Sequence, residues 1–524
     1  MKKLIPFSLF ITFLTFISVA QQPIEKSEVR KVVEAAMEQF DVPGIAVAIV
    51  KDGEIVLEEG YGVRSLKNNK PMTEHTLFGV ASNSKAFTGA ALGLLVEEGL
   101  LDWDDKVVDY IPEFRLYDSY VTMDFTIRDL LTHRSGLPLG AGDLMIFPDG
   151  HDFTTEDIIY NLRYLKQSSP FRSKFDYDNL LYIVAGEVLH RITGLTWAEF
   201  VEENIMQPLQ MNNSAGNYSR LKDISNIIDA HAPVNGEVVP IERYKSNIMD
   251  PAGGIYSSVH DMALWCKMWL NDGTYITNSD TLTLLKQETI NEIKTPVTPL
   301  PASSNAGFIN NFSGYGLGWF LRDVNGHFLM THTGGLNGMV TQVTMIPDLE
   351  LAIIVLTNQQ NGLAFYSVTN TIMEAYLGLE ITDWVSNYKK REARYKEYVD
   401  GIVGEVWDEI NTQLENNTSE VDVTAYTGTY KDDWFGHVSI EQENDKLRFI
   451  AQRSSALKGD VFFYKANTFV VKWDDRSLDA DAYMIFELDK DGKAVGLKMQ
   501  AISPMTDFSY DFHDLNLRRA DPQD

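Results

Sequence analysis

Thr76-Leu77-Phe78-Gly79-Val80-Ala81-Ser82-Asn83-Ser84-Lys85 runs into an apolar segment, residues 86–98, that stops at Gly99. Residues 76–81 read as extended. Beyond them Phe87, Ala90, Ala91, Leu94 and Leu95 recur at helical spacing, and Gly99 suits a helix end. Ser82 is thus delivered by an extended stretch to the start of a buried helix, where backbone N–H groups and the helix dipole favour negative charge. Ser82 and Lys85 stand one turn apart, so hydroxyl and amine share a face. That pairing suits a nucleophile and the base that takes its proton. Ser-x-x-Lys also occurs at Ser219/Lys222, Ser386/Lys389 and Ser455/Lys458, but without this setting.

Two further motifs follow, each present once: Tyr177-Asp178-Asn179 and His332-Thr333-Gly334-Gly335. The Tyr177 phenol is a second proton carrier, so either Lys85 or Tyr177 is the general base. The Asn179 amide suits contact with Lys85 and with a substrate amide; it also suits a cap on the helix that Leu180 begins. His332, Thr333 and Gly334 are assigned to substrate binding, with the glycines letting a ligand approach the backbone closely. A histidine at 332 is shorter than a lysine and neutral near pH 7, so it attracts a substrate carboxylate less and is free to hydrogen-bond Tyr177. In this order the three motifs imply a serine hydrolase that works through an acyl-enzyme on Ser82.

The trio resembles the serine β-lactamase and penicillin-binding-protein superfamily, in its class C-like branch, where Tyr-x-Asn replaces Ser-x-Asn. Supporting phrases are Thr126-Ile127-Arg128-Asp129-Leu130-Leu131-Thr132-His133-Arg134-Ser135-Gly136-Leu137, Pro251-Ala252-Gly253-Gly254 and Tyr315-Gly316-Leu317-Gly318-Trp319. The resemblance implies an α/β (α+β) β-lactamase-like fold: an antiparallel sheet flanked by helices, with an inserted all-helical domain. It also implies an oxyanion hole made by the backbone N–H groups of Ser82 and Gly335. β-Lactamases of this branch carry Lys-Thr-Gly where this chain has His332-Thr333-Gly334, a departure more like the family's esterases and peptidases. The expected activity is therefore cleavage of an ester or amide, of esterase or D-amino-acid/cell-wall peptidase type. A class C-like β-lactamase and a non-catalytic binding homologue are the alternatives.

Lys2 and Lys3 followed by an apolar run and Ser18-Val19-Ala20 predict a signal peptide over residues 1–20, and with it a periplasmic or secreted protein. The formal charge is −29, two more negative once that segment is removed, so neither nucleic acid nor anionic lipid is an expected partner. The expected partner is a small-molecule or peptide substrate, with no stable membrane insertion after cleavage. Cys266, the single cysteine, excludes an internal disulfide and reads as buried. His133 reads as structural, and the spacing of His151, His231, His260 and His437 fits no metal motif; no metal and no cofactor are expected.

The hydrolase domain is expected over residues 21–383. A helix is predicted over 29–40, a strand pair over 45–50 and 55–57, and a second pair over 340–346 and 351–356, with helical sequence over roughly 86–250 between them. Residues 384–421 read as a solvated linking helix that ends in Glu415-Asn416-Asn417-Thr418. Residues 422–524 change to short alternating strands, at Val438/Ile440, Leu447/Phe449, Phe469 to Trp473, Tyr483 to Leu488 and Val495 to Met499, with Asp491-Gly492 as a hairpin turn between the last two. They predict a small all-β module, lipocalin-like and partly closed, that folds independently of the rest.

Overall fold

The structure, a computed structural model, describes residues 24–277, 280–305, 307–416, 421–443 and 446–520; the expected signal peptide lies outside them. Its first unit is built on an eight-stranded antiparallel sheet. In spatial order the strands are Glu54–Gly62, Gly44–Lys51, Leu351–Thr357, Met339–Ile346, His327–Leu336, Phe320–Val324, Ser313–Tyr315 and Thr298–Leu300. Gly44–Lys51 occupies the middle of one half because every residue but Lys51 is buried. Strand alternation sends Ile45, Val47 and Ile49 to one face, against helices Lys26–Gln39 and Gly362–Tyr376. Ala46, Ala48 and Val50 face the other way, into the larger core with Phe87 and Ala90. The turn after this strand holds Asp52 and Gly53 at φ 53° and 76°, the left-handed pair a two-residue hairpin favours.

Between the two strand pairs the chain is mainly helical, from Ser84–Glu97 to Asp250–Gly253. A two-stranded hairpin, Ala230–Val234 with Glu237–Ile241, interrupts that stretch, and the sequence had not predicted it. Ser84–Glu97 is buried almost all round, which is why its apolar residues form no single stripe. No described helix is long and apolar enough to cross a membrane.

The helix Trp384–Asn416 leads to an eight-stranded antiparallel barrel. The barrel is fully closed, its first strand Gly428–Asp432 pairing with its last, Leu517–Ala520, so no open edge remains. Its interior holds packed aromatics, with Tyr426, Phe469 and Phe486 in edge contact and Trp473 between Phe449 and Phe512. The barrel is not set apart from the first unit. Arg453 pairs with Asp152 and Asp157 and lies over the Phe153 ring. Asn161 donates to the Trp434 carbonyl at 2.9 Å, and apolar residues of both units form one buried cluster.

Candidate active site

Ser82 lies in the short 3-10 turn Ala81–Asn83 that enters the buried helix, and it is half-buried, open to the cleft. The strand before it is short: Phe78–Gly79 pairs with Tyr256–Ser257, and Ala81 then turns the backbone with φ 51°. The His332 strand packs against this turn. A side chain at Gly334 would collide with the Val80 carbonyl, so only glycine permits the approach. Thr341, opposite Gly334, donates to that carbonyl at 2.9 Å and accepts from Asn83 at 2.9 Å.

Lys85 is fully buried one turn beyond Ser82. Its Nζ lies 3.2 Å from Ser82 Oγ, 2.7 Å from Asn179 Oδ1 and 2.9 Å from the Ala252 carbonyl. Burial pulls its pKa down to about 7, opposed by the nearby carboxyls of Asp143 and Asp178. Two acceptors held by the fold therefore take two of its hydrogens, and the third direction faces Ser82. The Pro251-Ala252-Gly253-Gly254 phrase supplies the carbonyl. The Gly316-Leu317-Gly318 phrase packs against the backbone of the same helix at Gly89 and Lys85.

Asn179 begins helix Leu180–Thr193 but does not cap it with its side chain. Asp178 does so instead, accepting from the Leu181 N–H at 3.0 Å. The amide of Asn179 is left to bridge inward: its oxygen meets Lys85, and its nitrogen donates to Asp143 Oδ2 at 2.8 Å. Tyr177 is half-buried, hydrogen-bonds the Ser82 side chain, and stacks its ring near Lys85 Nζ at 4.8 Å. Burial pushes its phenol well above the ordinary value.

His332 is buried, and burial together with the Lys85 charge lowers its pKa to about 3, so the ring is neutral. The expected bond to Tyr177 is not made. The two rings sit 6.3 Å apart, and His332 Nε2 pairs with the Tyr315 hydroxyl at 3.1 Å while Nδ1 meets its neighbour Thr333's carbonyl at 2.6 Å. Tyr315 intervenes because its strand, two away in the sheet, brings the phenol to the same buried layer. Thr333 and Gly335 line the cleft with Ser82, Tyr177, Asn179 and His332, and Gly334 is buried behind them. His133 stands behind Tyr177, ring centroids 4.2 Å apart, and its Nδ1 accepts from the Asp178 N–H. Cys266 is buried, which pushes its thiol well up. Among the described residues no cluster of three His, Cys, Asp or Glu side chains could hold a metal ion.

Sequence reading missed three residues that the fold brings here, Asp143, Ser509 and Asp511, and gave Tyr315, quoted in a supporting phrase, no role at the site. The signal available was an acid set in apolar or aromatic surroundings, as in Gly142-Asp143-Leu144-Met145 and Tyr510-Asp511-Phe512. The cleft is large, about 1650 Å³, and extends from Ser82 past Phe508 to Trp407 of the long helix and Phe462 of the barrel.

A Beta-lactamase family model matches residues 29–377, and one described as a domain of unknown function, DUF3471, matches residues 413–519. An unguisins hydrolase of Aspergillus violaceofuscus is 27% identical over 461 residues, 83% of this chain and 79% of its own. Protein flp of Staphylococcus aureus is 24% identical over 346 residues, 64% of this chain and 63% of its own. Among solved structures, the octameric penicillin-binding protein homologue from Pyrococcus abyssi superposes with a TM-score of 0.60 at 21% identity, covering 94% of this chain and all of its own. The class C beta lactamase from Rhodobacter sphaeroides gives 0.54 at 19% identity, covering 67% and 99%. At these identities the two structures establish a shared fold. The family model spans more than half of the sequence, and the chain belongs to the beta-lactamase family of serine hydrolases.

Proposed function

We propose that the protein is an exported hydrolase that cleaves an ester or amide through an acyl-enzyme on Ser82, of esterase or peptidase type. The observation that carries this reading is Lys85: fully buried, 3.2 Å from Ser82 Oγ, and with a pKa near 7. At neutral pH a large share of it is an unprotonated amine, a state an exposed lysine almost never reaches. With two hydrogens held by Asn179 Oδ1 and the Ala252 carbonyl, its lone pair faces the serine hydroxyl. Lys85 is accordingly the base in acylation. Tyr177, whose phenol holds its proton far above neutrality, relays a proton to the leaving group rather than removing one from Ser82.

In the first step Ser82 Oγ bonds to the substrate carbonyl carbon as its proton passes to Lys85. The oxyanion lies against the N–H groups of Ser82 and Gly335. The bond to the leaving alcohol or amine then breaks, and that group departs with the proton Lys85 took, relayed through Tyr177, so that Lys85 is neutral again. Water then attacks the acyl carbon and gives its proton to Lys85, the acyl–oxygen bond to Ser82 breaks, and Lys85 returns the proton to Ser82 Oγ as the acid product leaves. Each oxyanion donor is worth about 2.7–4 kcal/mol of transition-state stabilisation.

Neutral His332 supports substrates without an obligatory carboxylate beside the scissile bond, and so an esterase or peptidase over a β-lactamase. The cleft at Ser82 is continuous with the open groove that runs past Phe508 to the long helix and the barrel, which supports a bulky or peptide substrate. The Aspergillus relative, a hydrolase by name, agrees with this reaction class. Export rests on the sequence of residues 1–20. The test is turnover of a small activated ester by wild type and Ser82→Ala. The reading requires loss of turnover in a variant that still melts cooperatively; retained turnover rules out Ser82 as nucleophile.

A further inference from the structure

Ser509 and Asp511 belong to the last connection of the barrel, between strands Ala494–Ala501 and Leu517–Ala520, yet both are buried against the hydrolase unit. Ser509 Oγ donates to Asp143 Oδ2 at 2.9 Å, the same oxygen that accepts from Asn179 Nδ2 at 2.8 Å. Asp511 accepts from the N–H groups of Gly142 at 2.6 Å and Leu144 at 3.0 Å, one on each side of Asp143. Phe508 stands edge-on to the Tyr177 ring at 5.8 Å, and its carbonyl lies so close to Gly140 that an added Cβ there would meet it at 2.8 Å. Gly140 in turn donates to the Tyr177 carbonyl at 2.9 Å. One barrel segment thus touches the supports of both Tyr177 and Asn179.

The consequence concerns the Asn179 amide. Its oxygen and nitrogen ends have nearly the same shape, so only its partners decide which end faces Lys85. The nitrogen is drawn to Asp143 Oδ2, and the oxygen is thereby turned to Lys85. Asp143 can enforce this only while its carboxyl plane is fixed, and its other oxygen, Oδ1, is buried and has no hydrogen-bond partner among the described residues. Ser509 and Asp511 supply the fixing. A flipped amide would set N–H donors against the amine and swing its lone pair away from Ser82.

We propose that the barrel is a working part of the active site, with Ser509 a positioning residue that acts through Asp143 to hold the Asn179 oxygen toward Lys85. This rests on the reading of Ser82 and Lys85 as nucleophile and base. The full-length chain is labelled with a fluorophosphonate, and rate constant and final amplitude are recorded separately in wild type, Ser509→Ala, Asp143→Ala and the double variant. Ser509→Ala should label to full amplitude with a rate constant about fivefold lower, the worth of one ordinary buried hydrogen bond. In the Asp143→Ala background the same change should have no further effect.

A wild-type rate in Ser509→Ala, a loss confined to amplitude, or an equal factor in both backgrounds overturns the proposal. If Asp143→Ala does not fold, Asp143→Asn replaces it. Its oxygen still accepts, so Ser509→Ala must slow labelling there too, and an unchanged rate overturns the proposal. Labelling that survives in Ser82→Ala strikes at the nucleophile assignment itself and not at Ser509.

Discussion

His332→Lys tests how the cleft reads substrate charge. His332 is buried and neutral, its pKa near 3, so it offers an incoming carboxylate no net charge. A lysine at this position would keep a cation at the end of a longer, flexible stem facing the cleft. It would give up the 3.1 Å bond to the Tyr315 hydroxyl, a loss of about 1 kcal/mol that falls on stability rather than selectivity. Against that stands a new charge-assisted bond to a carboxylate-bearing substrate, about 1.5–3 kcal/mol, or roughly ten- to a hundredfold in kcat/KM. A second sign follows from the neighbourhood. Lys85 and His332 already feel one another, since the Lys85 charge is among the causes that lower His332. A fixed cation at 332 would lower the Lys85 pKa below 7, so the acid limb of kcat/KM would move to lower pH. The assay is kcat/KM for a matched ester pair, with and without a carboxylate beside the scissile bond, across pH in both proteins. If the ratio does not change, position 332 does not read substrate charge, and a β-lactam-type ligand regains standing.

Three other outcomes follow from the same geometry. For wild type, kcat/KM should rise as pH passes upward through about 7, because the neutral Lys85 amine is the active form, and should show no inflection from His332; a flat profile from pH 6 to 8 would remove Lys85 as the base. Lys85→Ala and Tyr177→Phe should each slow acylation by at least about 10²-fold, with the double variant far from additive, and near-normal turnover in either would take that residue out of the mechanism. A chain ending at residue 421 should lose activity on small and large esters alike, since it lacks Ser509 and Asp511 and bares the surface around Asn161 and Phe153; full activity on a small ester would show the barrel to be dispensable.

That last expectation reverses the sequence reading, in which residues 422–524 formed an independent module. The composition break near Asn416 is real, but composition cannot show that Ser509 meets Asp143 across 366 residues of chain. The motif residues were legible because their spacing is local. Ser82 and Lys85 share a helical face, and Gly334 announces a close backbone approach. Asn179 was harder, because a residue at a helix start reads as a cap until its neighbour Asp178 is seen to fill that role. The partner His332 does take was out of sight for a related reason: Tyr315 reaches it through sheet order, which no short window contains. Three further barrel strands are not legible: Gly428–Asp432 and Leu517–Ala520 have too short an apolar alternation, and in Lys458–Lys465 the run Val461-Phe462-Phe463-Tyr464 does not alternate at all. The paired strands of the main sheet, buried on both faces, were plain from their unbroken apolar runs.

The central claim is that Ser82 carries the acyl group and that Lys85 removes its proton. The direct measurement is intact-protein and peptide mass spectrometry after rapid quenching of an activated ester reaction, run at pH 5.5 and pH 8 on wild type and Ser82→Ala. The account predicts one acyl adduct, mapped to the peptide containing Ser82, formed at least tenfold faster at pH 8 and absent from Ser82→Ala. An adduct on another residue, or one that forms equally fast at both pH values, would contradict it.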